Sequence, residues 1–109
     1  MMYDEFPHTA ILKEQRNVPN PMGGVSKQWL PLEENSELEC FIDTPSTDRL
    51  VEASKLGITL HRDLYCEYEE GMAIKTNWRI HYHGQDYTFA GEAEDQGGMH
   101  EIVRIPLKR

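Results

Sequence analysis

Positive charge is scarce in this sequence: 11 Lys and Arg stand against 19 Asp and Glu, for a net charge of -8. That balance excludes a general grip on nucleic acid, which needs concentrated cations along the contact. It leaves room for a protein past which DNA slides, because a like-charged wall repels the phosphate backbone rather than holding it. Cysteine is nearly absent. Cys40 and Cys66 are the two present, and they form no CxxC pattern. Both lie in strand-like runs and read as buried thiols, with a disulfide the less supported alternative. No apolar run approaches the roughly 20 residues that span a bilayer, and no signal peptide is visible, so the chain is expected to be soluble and to reside in the cytoplasm when made.

Chemistry-bearing motifs are missing as well. Ser26, Ser36, Ser46 and Ser54 sit in no GxSxG elbow, and there is no Walker loop, GxGxxG or HExxH. Carboxylates are plentiful, but Glu69, Glu70, Glu92, Glu94 and Asp95 read as solvated charge. Acid-base work needs burial or close approach of such groups. Beside Trp29, Trp78, Tyr82, Tyr87 and Phe89 there is no basic patch, since Arg79 and Arg104 are single charges. These aromatics therefore read as core rather than as a platform for stacking bases. No catalytic residue, metal or cofactor is assigned.

What the sequence does contain is strands. Its 109 residues suit one domain, residues 1–109. A first strand is expected over 7–17, centred on Ile11 and Leu12, followed by a Pro- and Gly-rich loop over 18–24. A second begins near Val25 and passes Trp29, with Pro31 marking an edge or a break. Over 37–43, Leu38, Cys40 and Ile42 alternate onto one face, with Phe41 the exception. Residues 58–70 read as strand, with Leu64, Cys66 and Tyr68 on one face and Tyr65 and Glu67 on the other. Residues 71–75 read as a short connection and 92–98 as an acidic turn. A last strand runs over 99–109, where adjacent Ile102 and Val103 predict a bulge or cover on both faces. With no parallel βαβ pattern, the expected fold is a small, mostly β antiparallel barrel of about six strands, with a long loop and short helix inserted between strands.

The insertion spans 43–57. Ser46, Thr47 and Asp48 after Pro45 are candidate N-caps, and Gly57 supplies a C-cap. Between them Leu50, Val51, Ala53, Ser54 and Leu56 form a thin apolar stripe. A helix of about two to three turns would be laid against a core or used as a contact element. So thin a stripe also predicts a segment loosely held in a monomer, ordering on assembly.

The run WRIHYHGQDYTFAG carries the clearest pairing signal. A type II′ turn placed at Gly84 and Gln85 pairs Tyr82 with Tyr87 and Ile80 with Phe89, and Trp78 continues that face. Moving the turn to His83 and Gly84 changes the partners but not the faces, whereas a three-residue loop spoils the apolar face. Arg79, His81 and His83 then face away from the core. Two histidines at this spacing are half of a metal site, with Asp86, His61 or His100 as possible further ligands. The spacing singles none of them out, and the favoured reading is a polar or interfacial face. A small His-dependent metal enzyme and an SH3-like non-catalytic adaptor are the competing classes.

The order of motifs resembles a known family. Tyr3-Asp4-Glu5-Phe6 precedes a strand, a Gly-Gly turn, a Trp-containing strand and a long loop-helix. Ile80, Tyr82, Gly84, Phe89, Gly91, Asp95, Gly98, Glu101, Ile102, Arg104 and Ile105 follow in the family's order. The chain resembles the head-completion, or stopper, proteins of siphophages and related prophages. The resemblance is strongest over 79–105 and weak over 43–58. It implies a small β-barrel assembling with itself into a ring of six or twelve copies beneath the portal and its adaptor ring. That ring would close the DNA channel after packaging and offer the docking surface for a tail completion or tail tube protein. The implied place is the virion neck, reached from the host cytoplasm, without membrane contact. By position the channel-closing loop would comprise Asp43, Thr44, Pro45, Ser46, Thr47, Asp48, Glu52 and Gly57. Asp43, Asp48 and Glu52 would make it acidic, suited to transient, non-adhesive contact with DNA. Arg79, His81 and His83 would serve subunit contacts.

Overall fold

A computed structural model describes residues 6–109. Tyr3, Asp4 and Glu5 of the family pattern lie outside the described residues. The elements are β1 (His8–Pro19), β2 (Val25–Pro31), β3 (Glu37–Asp43), α1 (Thr47–Lys55), β4 (Arg62–Glu67), α2 (Tyr68–Met72), β5 (Arg79–Tyr82), β6 (Gln85–Phe89), β7 (Glu94–Asp95) and β8 (Ile102–Lys108). A 3-10 turn, Gln96–Gly98, joins β7 to β8.

Six strands close on themselves in the order β1-β3-β4-β8-β6-β5 and back to β1, as the sequence pattern leads one to expect. Every pairing is antiparallel, which an even number of strands permits. Closure removes the free edges that an open sheet would expose. The core is filled from alternate positions: Ala10 and Leu12 from β1, Leu38, Cys40 and Ile42 from β3, Leu64 and Cys66 from β4. Ile80, Tyr87, Val103, Ile105 and Leu107 complete it. Cys40 and Cys66 are free, buried thiols. Desolvation on burial pushes both up to about 12.

β1 serves two structures. Its first half pairs with β3 and, through Ile11 to Lys13, with β5. Its second half leaves the barrel and pairs with β2 from Lys13↔Pro31 to Pro19↔Val25. The result is a projecting hairpin arm. The radius of gyration is 15.3 Å, against about 13 Å for a compact chain of this length, and the long extent is 50 Å. The Arg79 guanidinium lies 4.0 Å over the Trp29 ring and ties the arm to β5.

Two local expectations are corrected. Residues 58–70 are not one strand: β4 ends at Glu67, and α2 begins at Tyr68. Gly71 makes that turn possible. A Cβ there would meet Val103 Cγ2 at 2.2 Å and Cys66 Sγ at 3.0 Å, so the missing side chain lets the helical turn sit directly on the core. The second correction is the β5-β6 turn, which falls at His83 and Gly84 rather than at Gly84 and Gln85. Both have positive φ, 48° and 73°, the signature of type I′, and histidine is among the residues that enter the left-handed region more readily than most. Ile80 therefore pairs with Tyr87, His81 with Asp86 and Tyr82 with Gln85. The faces are unchanged, since both registers share one parity.

Candidate functional site

The insertion is built from both ends. β3 delivers Asp43 opposite Asp63 of β4. The Ser46 hydroxyl then accepts from the Arg49 N–H at 3.2 Å and caps α1. At the far end the Gly57 N–H donates to Ser54 O and the Ile58 N–H to Ala53 O, with Gly57 at φ 75°. This is the Schellman closure, which the Gly57 cap reading anticipated.

What holds α1 to the barrel was not legible as an apolar stripe. Of the striped residues Ala53 is buried, while Leu50, Val51 and Leu56 are exposed. The anchor is a charge pair. Arg49 Nε donates to Asp63 Oδ2 at 3.1 Å and Nη2 to Oδ1 at 3.2 Å. Asp63 is 2% exposed and Arg49 9%. A two-pronged guanidinium contact also offsets the repulsion between the carboxylates of Asp43 and Asp63, set directly across the β3-β4 ladder. Glu52 lies 3.9 Å from Arg49 at the helix surface. Asp48, Glu52 and Gly57 remain exposed, as do Thr44, Ser46 and Thr47, while Pro45 is half-buried. The outward surface of the insertion is thus acidic and apolar together. The signal missed in the sequence was an arginine at helical spacing from the cap, followed by a lone aspartate inside a strand.

The three polar residues of the hairpin do not act as one face. Arg79 is spent on Trp29. His81 Nδ1 lies 2.5 Å from Asp86 Oδ1, and Lys13 Nζ lies 3.4 Å from the same oxygen. This trio ties β1, β5 and β6 together where the barrel closes. Burial by itself would raise the Asp86 carboxyl, but the His81 hydrogen bond and the Lys13 ammonium outweigh it and hold Asp86 below the usual carboxylate range. His83, displaced into the turn, stacks on Tyr82 at 4.1 Å. The expectation that both histidine rings point the same way is therefore corrected, because His83 belongs to the turn and not to the strand. His61 accepts from the Arg109 N–H, and His100 stacks on Tyr68 beside Asp95. Among the described residues no group of three or more His, Cys, Asp or Glu is placed to hold a metal ion.

An arm and a capped helix extend from the closed barrel, and the chain is similar to a structural virion protein of a tailed phage. It is 26% identical over 107 residues to the head completion protein gp16 of Bacillus phage SPP1, covering 98% of this chain and 94% of that one. Its fold matches a chain from the virion of a native gene transfer agent particle with a TM-score of 0.54. That match has 10% identity and covers 92% of this chain and 90% of the other. No protein-family profile matches the chain.

Proposed function

We propose that this protein forms a ring at the head–tail interface of a virion, beneath the portal and its adaptor. There it closes the DNA channel after packaging and presents the surface on which the tail docks. The carrying observation is that similarity to a head completion protein extends over nearly the whole of both chains. The insertion 43–57 supports a gating role. It projects from one end of β3, is capped at both ends, and is fastened to the barrel chiefly by the Arg49–Asp63 pair. A segment tied at one place turns about that place more readily than one packed along its length.

In this reading the acidic exposed residues Asp48 and Glu52 approach DNA without gripping it. Leu50, Val51 and Leu56 meet the corresponding segments of neighbouring copies once the ring forms. Ring symmetry multiplies each small contact, so the free protein is mainly monomeric. Packaged heads made without this protein would test the reading. They should fill with DNA and then lose it, becoming nuclease-sensitive, and added protein should restore retention. Heads that keep their DNA without it would rule out the closing role.

A further inference from the structure

An open groove of about 470 Å³ lies beside the base of the arm. Leu12, Leu38, Ile74 and Trp78 contribute its apolar lining, and Glu34, Glu37, Glu69 and Glu70 its rim. Among the described residues none of these four glutamates takes part in an ion pair. Desolvation raises the Glu70 carboxyl, and the charges of Glu67 and Glu39 raise it further. An apolar slot ringed by unpaired carboxylates fits an apolar side chain carried beside a cation.

The other end of the arm has that chemistry. At its tip Met22 is 94% exposed and Val25 68%, and Lys27 follows on β2, exposed. The tip is held ready. The Asn20 side-chain oxygen accepts from the N–H groups of Met22 and Gly24 at 2.9 and 3.1 Å, and the Asn20 N–H donates to Gly24 O. Gly23 takes the φ of 88° that the turn requires. A preorganised tip loses little freedom on docking. It cannot reach the groove of its own chain. The paired ladder from Lys13 to Pro19 carries it about 20 Å away, at ~3.4 Å per residue.

We infer that the arm tip of one copy docks in the groove of the next, with Met22 on the apolar lining and Lys27 against the glutamate rim. Two different surfaces then meet, which is the head-to-tail contact that generates a closed ring when the rotation closes. The inference rests on the ring reading above and supplies its subunit contact.

Mixing two single variants, Met22→Cys and Ala73→Cys, tests it, since a disulfide between these positions can only join two copies. Both positions are exposed, so the barrel is undisturbed. Under mild oxidation at high protein concentration, with the two variants in equal amounts, the mixed Met22–Ala73 dimer should exceed either symmetric dimer by well more than the statistical excess that random pairing gives. Association of the otherwise unaltered protein, followed by sedimentation, should weaken about ten-fold or more in Met22→Asp. It should weaken about two- to five-fold in Lys27→Glu, and Glu37→Lys should restore the latter. Copies that associate as strongly with Met22→Asp, or that cross-link without preference for the mixed pair, overturn the arm–groove contact and leave the ring reading in place. Copies that neither cross-link nor associate at high concentration likewise overturn the arm–groove contact, whereas the ring reading, in which the free protein is mainly monomeric, stands or falls on the packaged heads.

Discussion

Replacing Arg49 with Met separates what holds the insertion from what holds the barrel, because methionine keeps much of the aliphatic stem and removes the charge. Arg49 and Asp63 are 9% and 3% exposed at their side chains and share two hydrogen bonds. Truncating one partner of such a pair costs about 3–5 kcal/mol while the other charge stays dry. For a domain of 109 residues, a melting entropy of ~2.1 cal/mol/K per residue makes 1 kcal/mol worth about 4 °C in Tm. If the barrel bore the whole cost, Tm would fall by about 13–22 °C. The structure argues otherwise. Apart from this pair and Ala53, α1 touches the barrel sparsely, so in the variant it swings out and water reaches Asp63. The loss then falls on local opening. Amide exchange within α1 should accelerate by about two to three orders of magnitude, at ~1.4 kcal/mol per factor of ten, while Tm falls by less than about 4 °C. Hydrogen exchange read by NMR, with calorimetry on the same variant, measures both. A full drop in Tm with α1 exchanging in step with the barrel would refute a separately moving insertion. Unchanged exchange in α1 would refute the pair as its anchor.

Gly71→Ala should destabilise by about 1–3 kcal/mol through overpacking, since its Cβ would meet Val103 Cγ2 at 2.2 Å; a denaturation midpoint measures this, and adding Val103→Ala should recover part of the loss. Cys40 and Cys66, buried and pushed up to about 12, should react with a thiol reagent only as the protein unfolds, so fast labelling of the native state would contradict their placement. Asp86 is held below the ordinary carboxylate range in the folded state. Its contribution is therefore present above the unfolded value of about 3.9 and lost as pH falls through the lower folded value. The stability gap between the natural protein and Asp86→Asn should be constant near neutrality and close in acid; a gap that widens in acid would reverse the sign of the argument.

The parts of the fold that were legible in the sequence are those set by local alternation. Leu38, Cys40 and Ile42 announce β3 because they keep the period of two, with Phe41 the exception, and the candidate caps Ser46, Thr47 and Asp48 with Gly57 bracket α1 by backbone chemistry alone. The β5-β6 faces were fixed by Ile80 and Tyr87, yet their register depended on whether His83 would accept a positive φ, which alternation does not encode. α2 was hidden because Gly71 earns its place only against Val103, a neighbour far along the chain. The helix anchor was hidden for a related reason. Arg49 reads as a surface charge until Asp63 is brought beneath it. The arm was unreadable because its two strands look like barrel strands, and only the pairing of β1 with β5 shows where the barrel stops.

We propose a neck ring whose insertion guards the channel. Electron cryomicroscopy of a portal–adaptor complex incubated with the purified protein tests it most directly. One added ring of repeated barrels is expected, with residues 43–57 directed at the channel axis. A complex that gains no ring, or a ring whose 43–57 segments lie on its outer wall, would contradict it.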